Sequence, residues 1–549
     1  YPLQPLAPTK NATFSLSSPD TTVAGTTLTL VLQGAKEDTT PLDHHVVVSL
    51  NDTFVDDVYF DGLATHTVEL PVDSRLLRHG DNTLTLERGG DSNALSMVHL
   101  DRFSLVYPRS MVSEGGTLEG RASAAGTVSV AGFGAGAMLL DTTEGRVRWL
   151  RSSSWGGDTL AFFAKANHSY LAVAPAALMA PEVRPVAAQD LRDTSNQADW
   201  LLIAPRAFLD AAQPLVLHRQ GQGLSTKAVA LEDVYAAFSH GETDPQALKD
   251  FLVYAFHNWD APSIRYVLLL GESNYDAKGY RASGHVRKNL LPTPIIKSPF
   301  QWTASDVELA SVNGEDSLPD IAIGRLTAND VAEADVVVQK ILDFENQGYD
   351  LNGNATLVAD GYDPRAGNFT ANAYDIAALM PARATQKILY DSVGAGARAL
   401  SMTALNNGTA LMSYMGHGSA HLWGNYADIF IDTDVAGLLD QPRQPLLLTM
   451  TCSTGYFIPY HRNSITEAFV LAEGRGAIAA FSPTSESYND AAHIFHSAVV
   501  QRLESGAYDR LGDLILAAQI DYANSGAYPE LLRLYHLFGD PALKVASDP

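Results

Sequence analysis

Three side chains of different chemistry each follow a short apolar run in the second half of the chain. Cys452, the single cysteine of 549 residues, follows "LLLTMT"; His417 lies between two glycines after "LMSYM"; and Asp360 follows "ATLVA". A thiol is mostly protonated at neutral pH, so an imidazole would have to take its proton, and a carboxylate could orient that imidazole. These residue types are suited to nucleophilic catalysis, and the glycines would let a substrate backbone approach closely.

Each of these residues also has a simpler structural interpretation. A cysteine after an apolar strand is often an inert core residue, and an aspartate at a strand end is often a cap or turn residue. A histidine between glycines is commonly part of a loop. His421 is a competing base, although it lacks the flanking glycines of His417. The shared position at strand ends, with the histidine before the cysteine, favours the catalytic interpretation.

The elements that would position these residues alternate between strand and helix. Residues 1–190 show short alternating runs separated by Gly, Asn, Asp and Pro, which predicts an all-β sandwich, with 113–126 as a loop inside it. Beyond it, buried strands alternate with amphipathic helices at 247–259 and 331–346, which indicates parallel sheets covered on both faces. Ligands bind at the carboxyl ends of such strands, so the three side chains should converge there. The predicted strand segments are 198–205, 264–272, 355–361, 409–418, 445–452 and 476–483.

Length, charge and composition narrow the classes of protein. A chain of 549 residues is expected to form two to four domains. The formal charge of −25 argues against a nucleic-acid partner, because phosphate binding needs a basic surface. The sequence contains no run of about 18 apolar residues, so it predicts no transmembrane helix. The start at Tyr1 suggests a removed leader or a trimmed chain, and one cysteine allows no internal disulfide.

Several segments together resemble one enzyme family. "YMGHGSAHLWG", followed 35 residues after its histidine by "TCSTGYF", resembles the gingipain-like cysteine peptidases of peptidase family C25, which have a caspase-like fold. The segments at 266–280, 317–330 and 535–543 look like other recurrent segments of that family. The resemblance covers about residues 196–549.

The resemblance implies an α/β caspase-like catalytic domain of two subdomains with parallel sheets, at 196–345 and 346–549, the second carrying the site. It implies that Cys452 is the nucleophile, that His417 is the general base and acid, and that the backbone of Gly418 and Cys452 forms the oxyanion hole. Asp360 matches the position of an acidic residue that supports the histidine, although the best-known members have glutamate there. The implied activity is that of a bacterial cysteine endopeptidase, extracellular or at the cell surface, acting through an acyl-thioester.

The substrate pocket departs from the arginine-specific pattern of the family. Ala371 lies near the place where arginine-specific members have an acidic residue. The segment "FSPTSESYND" provides Ser485 and Glu486 as candidate polar contacts and Tyr488 as a candidate aromatic wall. Glu486 could select a basic side chain or simply be a solvated surface residue. The specificity therefore stays open.

The family also binds calcium, and one acidic segment is a candidate site. Calcium takes six to eight oxygen ligands, and residues 305–320 are rich in them, although their spacing is not that of an EF-hand loop. An acidic surface loop is the alternative. Zinc has no Cys/His cluster to bind it, and the chemistry itself requires no cofactor. The candidate calcium ligands are Asp306, Asn313, Glu315, Asp316 and Asp320.

Two other functions use the same residues differently. In a sorting peptidase or transpeptidase, an amine would replace water in deacylation. In a non-catalytic surface binding protein, the peptidase domain would be only a scaffold. The β region is either an accessory module or an inhibitory pro-region, in which case the chain is a zymogen and 191–197 is the expected processing link. The expected partner is a protein or peptide substrate, and the oligomeric state is undetermined.

Overall fold

The chain folds into two units, which are described separately. The structure is a computed structural model that divides into residues 1–186 and 187–549. The predicted division of the second unit at residue 345 stays a prediction. The described residues are 2–3, 9–36, 41–90, 96–134, 136–145, 147–151, 153–183, 188–279, 287–314, 316–425, 427–441 and 443–546.

The first unit consists of antiparallel strands, as the alternating pattern predicts. In the strand at 80–88, for example, Leu84 and Leu86 are buried, while Thr83 and Thr85 alternate with them on the other face. The strands are β1 Pro2–Leu3, β2 Thr9–Leu16, β3 Thr26–Gly34, β4 His44–Leu50, β5 Thr53–Phe60, β6 Thr65–Val72, β7 Gly80–Arg88, β8 Val98–Val106, β9 Thr117–Arg121, β10 Gly126–Val130, β11 Met138–Asp141, β12 Arg148–Trp149, β13 Ser153–Gly156, β14 Thr159–Ala164 and β15 Ser169–Val173.

The described part of this unit contains two sandwiches rather than one larger one. Sheets of order β1-β8-β3-β6 and β2-β7-β4-β5 enclose one apolar core. Sheets of order β10-β14-β13 and β12-β11-β15-β9 enclose a second core. The segment 113–126, expected as a loop inside one sandwich, instead contains β9 and leads into the second core. The expectation of one larger sandwich was therefore wrong.

The second unit is built on a ten-stranded sheet. Its strands are β16 Trp200–Ala204, β17 Thr226–Ala230, β18 Tyr266–Leu270, β21 Ala322–Leu326, β22 Ala355–Ala359, β23 Thr385–Leu389, β24 Leu411–Met415, β28 Leu446–Met450, β29 Ala479–Pro483 and β30 Tyr535–Phe538. They lie in the order β17-β16-β18-β21-β30-β29-β28-β24-β22-β23. Pairing is parallel within each half of the sheet, and the halves meet at the antiparallel pair β29 and β30. The two predicted parallel sheets are therefore parts of one sheet. Shorter strands outside this sheet are β19 Ile295–Lys297, β20 Trp302–Ala304, β25 Gly418–Ser419, β26 Leu422–Trp423 and β27 Phe430–Ile431.

Helices cover both faces of the sheet, which explains the uninterrupted apolar strands. In β16, Leu202 packs in one core, while Leu201 and Ile203 pack in another. The helix over 331–346 is confirmed, and Asp330 caps it by accepting a hydrogen bond from the Glu333 N–H. The helices are α1 Leu209–Gly221, α2 Leu231–Phe238, α3 Pro245–Asn258, α4 Val307–Ala310, α5 Val331–Asn346, α6 Phe369–Ala378, α7 Tyr390–Val393, α8 Gly396–Asn406, α9 Ile465–Leu471, α10 Asn489–Glu504, α11 Leu511–Asn524 and α12 Glu530–Leu534. Across the described ranges, no helix has the length and apolar character needed to cross a membrane.

The predicted processing link at 191–197 is held by hydrogen bonds within the second unit. The carbonyl of Leu191 accepts a hydrogen bond from Trp259 Nε1 at 3.1 Å. The carbonyl of Arg192 accepts one from the Tyr254 hydroxyl at 2.6 Å. Leu191 itself is fully buried. A protease needs a segment that can be drawn out of the fold, so this one is poorly suited to be a cleavage link.

Candidate active site

The three candidate residues follow adjacent parallel strands and meet at one edge of the sheet. Ala359 of β22 pairs with Met415 of β24, which in turn pairs with Met450 of β28. Asp360 comes one residue after its strand, and His417 and Cys452 each come two residues after theirs. The predicted convergence is therefore confirmed.

A hydrogen bond ties the histidine turn to the cysteine turn. The Thr451 hydroxyl donates to the Gly416 carbonyl at 2.6 Å. The two backbones are in contact as well, because a Cβ on Gly418 would lie 2.5 Å from Thr451 Oγ1 and 3.2 Å from the Cys452 carbonyl oxygen. Glycine is thus required at 418 by close packing of the two turns.

The backbone of His417 is fixed from both sides. Its N–H donates to Asp360 Oδ2 at 3.2 Å, and its carbonyl accepts from the Tyr414 hydroxyl at 2.5 Å and the Gly424 N–H at 2.9 Å. Gly416 has no room for a side chain, since a Cβ would lie 2.3 Å from Asp360 Cβ and 2.4 Å from Tyr414 Oη. The turn therefore presents the imidazole in one defined place.

The carboxylate next to the imidazole ring is Asp363, not Asp360. His417 Nε2 lies 3.2 Å from Asp363 Oδ2, and the edge of its ring contacts Phe369, with centroids 5.5 Å apart. A hydrogen bond from the Arg365 N–H, together with the one to His417, keeps the pKa of Asp363 below its ordinary value. Asp360 contacts the backbone of the histidine instead of its ring, because its carboxylate accepts from the N–H groups of Gly361 and His417. Its predicted role of supporting the histidine stays a prediction.

The thiol of Cys452 is half-buried at the start of a sharp turn. It donates to the Ser487 carbonyl at 3.7 Å, and Ser453, which follows it, has a left-handed φ of +51°. Burial raises the pKa of the thiol, and the charge of Glu486 raises it further. The thiol is thus neutral and needs a base. Among the described residues, no hydrogen bond joins it to the His417 ring.

The backbone N–H of Cys452 is available to a ligand. Within the described part of the chain, it donates to no acceptor, so it could face an oxyanion. Gly418, the other predicted donor, belongs to β25 and pairs with Trp423. The oxyanion hole stays a prediction.

The predicted pocket residues differ in exposure. Ser485 is fully buried, and its hydroxyl lies 2.9 Å from that of Ser298, so its assignment as a pocket residue was wrong. Glu486 is half-buried, and its charge helps to raise the pKa of the Cys452 thiol. Tyr488 is 40% exposed and contacts two rings that the sequence did not suggest, Phe300 and Tyr528, both in a tilted arrangement.

One of the candidate calcium ligands is engaged by another side chain. Asp306 is buried and is not available as a ligand, because both its oxygens accept from Arg325, at 2.6 and 2.7 Å. Asp316 and Asp320 accept from backbone N–H groups at the surface. Glu315 lies outside the described residues, and elsewhere no three His, Cys, Asp or Glu side chains form a group that fits a metal. Calcium at Asn313, Asp316 and Asp320 stays a prediction.

The sequence model of peptidase family C25 matches residues 193–546. The chain belongs to that family. This confirms the gingipain resemblance. Gingipain R2 of Porphyromonas gingivalis (strain ATCC BAA-308 / W83) is 24% identical over 285 residues, which are 50% of this chain and 35% of that protein. The chain thus spans about a third of the length of that curated relative.

Two solved structures share the fold. The Arg-specific cysteine proteinase gingipain R (RgpB) has a TM-score of 0.53 at 19% identity, over 63% of this chain and 78% of that one. Dimeric latent PorU from Porphyromonas gingivalis also has a TM-score of 0.53, at 17% identity, over 99% of this chain and 50% of that one. At these identities the likeness extends to fold alone, and it agrees with a gingipain-type α/β unit preceded by β structure.

Proposed function

We propose that this C25 family member is an active cysteine peptidase that uses Cys452 as its nucleophile and His417 as its general base and acid. One observation carries the proposal: both residues stand two positions beyond register-paired strand ends, with their turns joined by the Thr451–Gly416 hydrogen bond. Asp363 acts through the imidazole as a positioning residue.

The reaction uses the neutral thiol and the imidazole in sequence. As sulfur bonds to the carbonyl carbon, the thiol proton passes to His417, and the carbonyl electrons move to the oxygen. That oxyanion faces the N–H of Cys452 and, in the proposal, the N–H of Gly418. When the C–N bond breaks, the imidazole gives its proton to the leaving amine. Water, activated by the same imidazole, then hydrolyses the thioester and releases a carboxylic acid.

In this mechanism the thiol of Cys452 and the ring of His417 act together only on a bound substrate. In the free protein the thiol and the ring have separate partners, Ser487 and Asp363. Catalytic hydrogen bonds often form only once substrate is bound, so separation in the free state is consistent with a dyad that works across the scissile bond.

Histidine variants test the proposal against a matched control. His417→Ala and Cys452→Ala should each lower kcat/KM for protein or peptide substrates by roughly 10³-fold or more. His421→Ala should retain most activity, because that ring lies beside Asp432 instead (3.5 Å). Equal losses at 417 and 421, or activity that survives Cys452→Ala, would contradict the assignment.

Product analysis separates hydrolysis from transfer. A free carboxylate at the new C-terminus indicates a peptidase, and an amide-linked product with an added amine indicates a transpeptidase. A peptidyl electrophile that labels the native chain but not Cys452→Ala would exclude the purely binding scaffold. The extracellular or cell-surface location belongs to the same proposal, and fractionation of the producing bacterium tests it.

A further inference from the structure

Three aromatic rings form a cluster that includes Tyr488, the residue after the one whose carbonyl accepts from the Cys452 thiol. The Tyr488 ring lies 4.7 Å from that of Tyr528 and 5.3 Å from that of Phe300, measured between centroids. Tyr488 is 40% exposed and Tyr528 is 47% exposed. The rings come from three separate segments: the loop before β20, the connection from β29 to α10, and the loop before α12.

The cluster begins within reach of a substrate bound at Cys452. The thiol donates to the carbonyl of Ser487 at 3.7 Å, and that carbonyl belongs to the peptide bond that leads into Tyr488. The nitrogen of Tyr488 is therefore at most about 6 Å from the sulfur, given standard peptide dimensions. The segment that carries Tyr488 thus borders the place where the scissile bond would lie.

Hydrogen bonds fix the backbone of the three residues that carry the rings. Tyr488 immediately precedes α10, and its carbonyl accepts from the Ala492 N–H at 2.9 Å. The carbonyl of Tyr528 accepts from the Tyr522 hydroxyl at 2.8 Å. The turn of Phe300 is closed by the hydroxyl of Ser298, which lies 2.9 Å from that of Ser485. Ser485 thus connects this turn to the segment of Tyr488 instead of contacting substrate.

We propose that Phe300, Tyr488 and Tyr528 form an aromatic subsite that receives a large apolar or aromatic side chain next to the scissile bond. The inference rests on the proposed peptidase function and names the substrate class of that site. Exposed, rigid aromatic surface beside a reactive group is typical of a binding site, and an incoming ring gains both apolar burial and ring-to-ring contact.

A basic side chain is the competing occupant. Arginine or lysine can lie over aromatic rings, and Glu486 is two residues before Tyr488. The apolar occupant is favoured because two of the three rings present large exposed faces, whereas the carboxylate of Glu486 is half-buried. The test therefore includes both side-chain classes.

The experiment uses the full chain and internally quenched peptides in which each residue flanking the scissile bond is varied in turn. Phe, Tyr or Leu at one flanking position should give a kcat/KM roughly 10- to 100-fold above Ala, Lys or Arg at that position. Tyr488→Ala should remove most of that preference, and Tyr488→Phe should restore it.

Matched variants assign the effect to the cluster. Tyr374→Ala is the control, since that tyrosine is 54% exposed on α6 and contacts Lys387 instead. Its selectivity should equal that of the native chain. A preference for Arg or Lys that Glu486→Gln abolishes would overturn the aromatic subsite while leaving the peptidase intact, as would no preference at all. Cleavage that survives Cys452→Ala would overturn the proposed function and this inference together.

Discussion

Replacing Asp306 with asparagine should destabilise the second unit without any involvement of calcium. The carboxylate accepts two hydrogen bonds from Arg325 and one from Thr293, at 2.6 to 2.8 Å. The side chains of Arg325 and Asp306 are only 1% and 4% exposed. Burial opposes ionisation of Asp306, but the charge and hydrogen bonds of Arg325 hold its pKa below the ordinary value. The guanidinium also lies 5.4 Å over the ring of Phe457, in the loop that follows Cys452.

The expected loss follows from leaving a buried cation without its counter-ion. Breaking a buried pair from one side typically costs about 3–5 kcal/mol, and the asparagine oxygen can still accept one hydrogen bond, so about 3–4 kcal/mol is expected. For a unit of this size, about 2 °C is lost per kcal/mol, which gives a fall in Tm of roughly 6–8 °C.

The assay is calorimetric unfolding of the full chain and its variants, each in excess calcium and in excess chelator. Asp316→Asn is the matched control from the same segment, because Asp316 is exposed and accepts only a backbone hydrogen bond. It should cost less than about 1 kcal/mol. Asp306→Asn combined with Arg325→Met should recover part of the loss, since no unpaired charge then remains buried. A fall in Tm for Asp306→Asn that occurs only in calcium, or one below about 2 °C in both solutions, would refute this reasoning.

Three further predictions concern the active site. Asp363→Asn should lower kcat roughly 10- to 100-fold, more than Asp360→Asn does, because Asp363 contacts the imidazole ring; the reverse order in steady-state kinetics would contradict that assignment. Gly416→Ala should abolish measurable cleavage, because the added Cβ would lie 2.3 Å from Asp360 Cβ. Gly437→Ala should not, because its Cβ would lie 3.6 Å from the nearest atom, Met402 Cε. Burial raises the pKa of Cys452, so the thiol keeps its proton to higher pH in the folded state. Its alkylation rate should therefore rise at higher pH than in the denatured chain; an inflection of the rate at lower pH would show that the thiolate is stabilised instead.

Much of the sheet could be predicted because its signals are local. All six predicted strand segments contain an observed strand, from β16 to β29. Four strands of the sheet were missed: β17, β21, β23 and β30. Polar or glycine residues interrupt the first three, which read "TKAVA", "AIGRL" and "TQKIL", and β30 is only four residues long. The position of β30 between the two halves, parallel to β21 and antiparallel to β29, depends on contacts between residues far apart in sequence.

The proximity of His417 and Cys452 was predictable from the strands that precede them. Parallel strands end at a common edge, so the residues that follow β24 and β28 had to lie near each other. That rule places residues to within one or two positions, which suffices to pair His417 with Cys452 but not to choose between two carboxylates three residues apart.

By itself, then, the sequence determined the α/β class, the strands that bring His417 and Cys452 together, and the family to which the chain belongs. The tertiary structure decided which groups contact each other: Asp363 with the imidazole, Asp306 with Arg325, and the ring of Tyr488 with those of Phe300 and Tyr528. The physical reason is one of range. Strand formation follows from the apolar pattern of neighbouring residues, whereas a hydrogen bond or ring contact depends on distances of a few ångströms between loops that are far apart in the chain.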